Sequence, residues 1–161
     1  MHSLFDYPIR VLLIAIAFLT VLGFAFFNIN TGQMQQYSKY VESQVDTKGG
    51  LTSESLIASQ KFALEGSNRT ARYQIINPKT DKPFADYVDS KGNEVPNAKE
   101  NAEKELKSAG YGPVRFGTKV KVKIQSRIQT SLLNVVKLPS TFTFTREITP
   151  VTSAFVPELD E

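Results

Sequence analysis

Apolar and polar positions divide the chain into one uninterrupted apolar run and a longer part with short, alternating patterns. The run Val11–Phe27 contains no charged residue. At 1.5 Å per residue it covers about 26 Å, close to the thickness of the hydrocarbon core of a membrane. A core helix of a soluble domain is rarely apolar on every side over such a length. The run therefore predicts a membrane-spanning helix.

The polar segment after this run continues the helical periodicity. Apolar residues recur there every three or four positions, at Met34, Tyr37, Tyr40 or Val41, and Val45. Lys48-Gly49-Gly50 is a helix stop signal. We therefore predict one helix from about residue 9 to residue 48, with Pro8 at its start. Weak helix formers at Gly23 and within residues 28–32 mark where it would loosen.

Beyond residue 50, short helical and strand-like patterns alternate. A helix is predicted over residues 55–64, with a strand over residues 61–64 as the alternative, and another helix runs from its cap Asn97 to Ala109. A period of two predicts strands over residues 71–76, 84–88, 118–130 and 141–148, while residues 132–138 form a strand or a loop. The predicted class is α+β, a long N-terminal helix packed on a small antiparallel sheet with one or two short helices. The N-terminal helix is the only long apolar stripe available to cover the sheet.

The order of these patterns predicts the organisation of the chain. Its parts are a cytoplasmic leader (residues 1–10), a transmembrane or assembly helix (11–27), an amphipathic extension (28–50), an α+β head domain (51–149) and a tail (150–161). Arg10 flanks the apolar run, whereas residues 28–38 contain no Lys or Arg. This asymmetry places the N-terminus in the cytoplasm and the head domain outside. A cleaved signal peptide, with a mature N-terminus near residues 26–32, is the main alternative.

The composition gives no support for catalysis. The chain has no Cys, and its single histidine is His2. Thiol chemistry, disulfides and Cys-based metal sites are thereby excluded. No glycine-rich phosphate loop and no His/Asp/Glu cluster with ligand spacing occurs. We therefore predict a protein that is not an enzyme, with no catalytic residue, cofactor or metal. Residues 68–70 match a glycosylation acceptor triplet, a pattern that is common by chance.

Basic residues are concentrated on one face of the predicted strand 118–130. The face contains Lys119, Lys121, Lys123 and Arg127. The simplest interpretation is a solvated sheet face whose lysines prevent edge aggregation. The alternatives are binding of anionic lipid or wall polymer, or salt bridges to a neighbouring subunit. Nucleic acid is disfavoured as a partner, because this face has no interleaved aromatic residues.

The architecture of the chain resembles that of type IV pilins and the wider pilin-like group, including minor pseudopilins and TadE-like proteins. The shared features are a short leader, an apolar helix half, an amphipathic helix half and a β-rich head. No Gly precedes the run Val11–Phe27 and no Glu lies near its start, where that family usually has them. The resemblance implies that this run holds the subunit in the membrane and then packs with its copies in a filament core. It also implies that Gly23 and residues 28–32 melt on assembly.

The sequence thus predicts a structural subunit of a pilus-like, secretion-type or conjugation-type envelope assembly. Its partners would be copies of itself, other pilin-like subunits and membrane lipid. Small residues that permit close helix packing are Ala15, Ala17, Thr20, Gly23 and Ala25. The alternative function is a single-pass, membrane-tethered module whose basic face binds anionic envelope components.

Overall fold

The computed structural model describes residues 3–66, 71–129 and 141–154. Its elements are, in chain order, α1 Ser3–Thr47, α2 Ser53–Gly66, β1 Ala71–Asn77, β2 Lys82–Pro83, α3 Ala98–Ala109, β3 Val122–Gln129 and β4 Thr141–Ile148. The chain divides into two compact units, Met1–Gln33 and Met34–Glu161. We call the second one the head unit. The division falls inside α1, so this helix contributes to both units.

Helix α1 confirms the prediction of a long N-terminal helix. It begins at Ser3, so Pro8 lies inside it rather than at its start. A proline this close to the N-terminus removes only one early backbone hydrogen bond, which the helix tolerates. The helix continues through Gly23 and residues 28–32, where the sequence favoured loosening. Helix propensity alone is a weak determinant at such positions.

The C-terminal half of α1 packs into the head unit through its predicted stripe. Met34, Tyr37, Val41 and Val45 are all buried. The Tyr37 ring stacks on Tyr73 of β1, with ring centroids 5.3 Å apart. The stripe therefore covers part of the sheet, as the periodicity predicted.

The sheet has the order β2-β1-β3-β4, and all neighbouring strands are antiparallel. This arrangement confirms the α+β class and the strands predicted near residues 71–76 and 141–148. The long predicted strand 118–130 is shorter in the structure, because β3 begins only at Val122. Before it, Lys119 forms an isolated bridge with Val151. The predicted buried face is confirmed for Val120, Val122 and Ile124.

The predicted strand 84–88 is wrong, and the segment is held by a side chain instead. The amide of Gln60 donates to the carbonyl of Ala85 at 2.7 Å and accepts from the N–H of Tyr87 at 2.8 Å. One glutamine thus satisfies two backbone groups that a neighbouring strand would otherwise bind. The strand next to β1 is instead the two-residue β2.

Helices α2 and α3 complete the cover of the head unit. Helix α2 confirms the predicted helix near residues 55–64 and excludes the alternative strand over residues 61–64. Its Leu56 and Ile57 belong to the same core as Tyr73, so α1 is not the only cover of the sheet. Helix α3 follows Asn97, as predicted, but the Asn97 side chain forms no capping hydrogen bond. Its backbone is left-handed, with φ of 58°, a conformation that Asn tolerates better than most residues.

Residues after β4 bind other parts of the head unit. The Val120 N–H donates to the Pro150 carbonyl at 2.9 Å, and the Thr152 N–H donates to Thr118 at 3.1 Å. The Ser153 N–H donates to the Asp46 carboxylate at 2.7 Å, at the end of α1. Residues 150–153, which the pattern assigned to a tail, therefore make backbone contacts with the head unit. Four other predicted features lie outside the described residues, namely His2, the triplet 68–70, the segment 132–138 and residues 155–161.

The Tyr37 hydroxyl is buried and has no hydrogen-bond partner among the described residues. Burial raises the pKa of this hydroxyl above its usual range. Since an unsatisfied buried polar group is unfavourable, Tyr37→Phe is expected to stabilise the protein by about 1 kcal/mol. The measurement is urea unfolding of the full chain in detergent.

Tyr111→Phe is the matched control for this substitution. The Tyr111 hydroxyl donates to the Lys121 carbonyl at 2.7 Å. Its removal is expected to destabilise the protein by about 1 kcal/mol, because a satisfied hydrogen bond is lost. Equal destabilisation by both substitutions would show that the Tyr37 hydroxyl has a partner after all.

Candidate functional site

The N-terminal half of α1 exposes an apolar surface on every side. From Val11 to Ile29 every residue is exposed. Helix α1 holds the one candidate membrane span in the described part of the chain, and its most apolar window contains no buried residue. An apolar surface of this extent in water would be an aggregation or interaction site. The helix is long and apolar enough to cross a membrane once.

Polar side chains in this half bond to the preceding helical turn. The hydroxyl of Thr20 donates to the Ile16 carbonyl at 2.8 Å. The amide of Asn30 donates to the Phe26 carbonyl at 2.7 Å. Satisfied donors of this kind remove much of the cost of placing polar residues in an apolar environment. The helix is therefore compatible with lipid up to the start of the head unit.

The five small residues predicted for helix packing are all exposed, and they do not share one face. Ala17, Thr20 and Gly23 follow one another at three-residue spacing, which forms a ridge along a helix. Ala15 and Ala25 lie on other sides of the helix at 3.6 residues per turn. No heavy atom lies within 4 Å of a Cβ built on Gly23. Because the side chains of residues 17, 20 and 23 are small, this row forms a shallow depression into which a neighbouring helix can pack.

The predicted basic face is interrupted by acidic residues from other segments. Lys123 forms an ion pair with Asp81, which lies in the turn between β1 and β2. Lys121 lies 3.9 Å from the carboxylate of Glu147 on β4. Lys119 and Arg127 are both exposed. The four basic residues are thus part of a face of mixed charge.

The acidic partners were not predicted from the sequence. Glu147 lies directly across from Lys123 in the register of β3 and β4. On the other side of β3, Arg127 lies opposite a second arginine, Arg72. Arg72 forms an ion pair with Asp86. Alternation identified the faces of single strands, but charge pairing across strands depends on register. Exposed ion pairs of this kind add little stability, although they lower the positive potential of the face.

An open cleft of about 460 Å³ lies between α2, β1 and residues 84–90. Arg72, Asp86 and Asp89 line it together with mainly apolar side chains. The carboxylate of Asp89 accepts hydrogen bonds within a local turn. The bond from the backbone N–H of Asn93 is the main reason why the pKa of Asp89 is lowered. The cleft therefore gathers no set of groups suited to acid–base chemistry.

Within residues 3–66, 71–129 and 141–154, no three His, Asp or Glu side chains form a group that could hold a metal ion. The most prominent surface feature of the described residues is the exposed apolar half of α1, which continues into the head unit. Comparisons with protein-family models, with curated proteins and with solved structures gave no match.

Proposed function

We propose that this protein is a structural subunit of a pilus-like or secretion-type envelope assembly, in which the apolar half of α1 packs with copies of itself or with other pilin-like subunits. The observation that carries the proposal is the division of one helix into two environments. Residues Val11–Ile29 are exposed on every side, whereas Met34, Tyr37, Val41 and Val45 are buried in the head unit.

A simple membrane tether does not require this construction. Tethers are commonly joined to their domains by flexible linkers, so that the domain moves independently of the anchor. Here the helix that crosses the membrane is also a core element of the head unit, and α1 has no break between Ser3 and Thr47. In such a subunit one continuous helix supplies both the apolar surface and part of the core of the head unit. That property is useful in an ordered assembly.

We place the N-terminus in the cytoplasm and the head unit outside the membrane, following the charge asymmetry around α1. The apolar half lies in lipid before assembly and exchanges lipid for neighbouring helices afterwards. Because lipid and apolar side chains are equally nonpolar, close packing has to drive this exchange. The ridge of Ala17, Thr20 and Gly23 is the surface best suited to it.

Gly23→Leu is expected to reduce assembly at least tenfold while leaving membrane insertion intact. A leucine fills the depression along residues 17, 20 and 23, so a neighbouring helix can no longer approach closely. It does not disturb the protein itself, since no atom lies within 4 Å of a Cβ at this position. The measurement is recovery of filaments or cross-linked oligomers from cells, with membrane fractionation of the same samples.

Val21→Leu is the control, because it adds apolar volume at a position that is already large. It is expected to assemble as the unmodified protein does. Normal assembly of Gly23→Leu would contradict helix packing through this ridge. Intact-mass measurement on the same preparations identifies the mature N-terminus. Cleavage near residues 26–32 would remove the apolar half of α1 from the mature protein and would overturn the proposal.

A further inference from the structure

The two edges of the sheet differ in their protection. One edge is β2, which has only two residues, Lys82 and Pro83. Short length, lysine and proline are all features that prevent edge-to-edge pairing. The other edge is β4, eight residues from Thr141 to Ile148. It contains no lysine and no proline, and its pairing with β3 has no bulge.

The hydrogen bonds after β4 show which backbone groups face outward. The Val120 N–H donates to the Pro150 carbonyl, and the Thr152 N–H donates to the Thr118 carbonyl. In this stretch the backbone N–H and C=O groups of even-numbered residues therefore point toward the β3 side of the strand. The same register continues through β4, where Phe144 lies opposite Ser126. Because strand residues alternate in direction, the N–H and C=O groups of the odd-numbered residues point away from the sheet. These residues are Thr143, Thr145 and Glu147.

The outer side of β4 is accessible. Thr143, Thr145, Arg146 and Glu147 are exposed, and Phe144 is 36% exposed. No strand in the described part of the chain pairs with β4 on its outer side. An exposed edge of this length is a template for another strand.

We propose that β4 pairs with β4 of a second copy of this chain, antiparallel and with the twofold axis at Thr145. In this register Thr143 lies opposite Glu147 of the copy, and Thr145 lies opposite itself. All are outward-facing residues, so their backbone groups form the hydrogen-bonded pairs of an antiparallel ladder. Phe144 lies opposite Arg146 of the copy, where the guanidinium can pack on the ring.

Charge disfavours the register in which the twofold axis lies at Glu147. A twofold axis at Glu147 would place two carboxylates directly opposite each other, which is unfavourable. The axis at Thr145 avoids this conflict and lies near the middle of β4. The edge is thus complementary to itself.

Disulfide cross-linking of the full chain in detergent tests the register, because the protein has no cysteine of its own. Thr145→Cys is expected to form a dimer under mild oxidation. The two Cα atoms would be about 5.5 Å apart, within the range of a disulfide. Thr143→Cys alone is expected to remain monomeric, since its two copies would be roughly 13 Å apart. Glu147→Cys alone has the same spacing and the same expectation.

A mixture of Thr143→Cys and Glu147→Cys, carrying tags of different size, is expected to give the mixed dimer. Equal cross-linking of all variants would indicate random collision and would overturn the proposal, as would failure of Thr145→Cys to dimerise. The pairing does not depend on helix packing, so the Thr145→Cys dimer should persist in a Gly23→Leu background. Failure of one proposal is therefore distinguishable from failure of the other.

A charge at the axis provides a second test with little risk to the fold, because Thr145 is exposed. Thr145→Lys places two ammonium groups opposite each other and is expected to weaken self-association about fivefold in sedimentation experiments. Thr145→Gln, of similar size and without charge, should associate as the unmodified protein does. Equal association of the two variants would contradict pairing at this axis.

Discussion

Gly50→Ala is expected to destabilise the head unit by at least about 3 kcal/mol, through backbone strain and a steric conflict. Gly50 has a φ of 136°, a conformation that residues with a side chain rarely adopt. A Cβ at this position would lie 2.4 Å from the carbonyl oxygen of Gly112. That atom belongs to the backbone, so it cannot move away as the end of a flexible side chain could.

The position of Gly50 explains why strain there should affect the whole head unit. Its N–H donates to the Val45 carbonyl at 2.8 Å and closes the end of α1. The neighbouring Gly49 carbonyl accepts from the Val114 N–H at 2.8 Å. These bonds join the end of α1 to the segment that precedes β3. A shift at Gly50 would therefore separate a helix from the strand region against which it packs.

Gly112→Ala is the matched control, since it changes the other partner of the same close approach. No heavy atom lies within 4 Å of a Cβ on Gly112, and its φ is not positive. Its effect is expected to stay within about 1 kcal/mol. Thermal unfolding of the full chain in detergent, followed by near-UV circular dichroism of the tyrosines, measures both. A midpoint for Gly50→Ala within a few degrees of the control would contradict the steric argument.

The regular elements could be predicted from the sequence because each has a periodic apolar face. Val41 and Val45 show the helical period, and Val122 and Ile124 show the period of two. Burial enforces these periods, since a slip would expose the whole face. The end of α1 at Gly49-Gly50 could also be predicted, because few residues other than glycine adopt the positive φ angles found there.

Features that depend on contacts distant in sequence could not be predicted in the same way. The segment 84–88 has a strand-like pattern, but the side chain of Gln60 binds its backbone. The sequence pattern predicted a basic face on residues 119–127, but the acidic partners Asp81 and Glu147 come from other segments. The arrangement of the small residues of α1 around the helix follows from geometry, although which of them meet a neighbour depends on the partner.

Leu19→Arg is expected to prevent stable insertion of α1 into the membrane. Leu19 is fully within the apolar run and is exposed, so its side chain would face lipid. Exchanging leucine for arginine near the middle of a span costs about 3–4 kcal/mol, or on the order of several hundred-fold in partitioning. The run is close to the minimum length for a span, so it has little surplus apolar surface to offset this cost. Alkaline extraction of membranes from cells, with detection of the full chain, measures the inserted fraction.

Gln36→Arg is the control, because it adds the same charge to the same helix at an exposed position beyond the apolar run. It should remain in the extracted membranes as the unmodified protein does. Loss of Leu19→Arg alone would locate the membrane contact in the N-terminal half of α1, since both variants carry the same net charge. If both variants remain in the membrane, the apolar half is not what holds the protein there. The helix would then have to bury its exposed surface against protein rather than lipid, because surface of this extent is not stable in water.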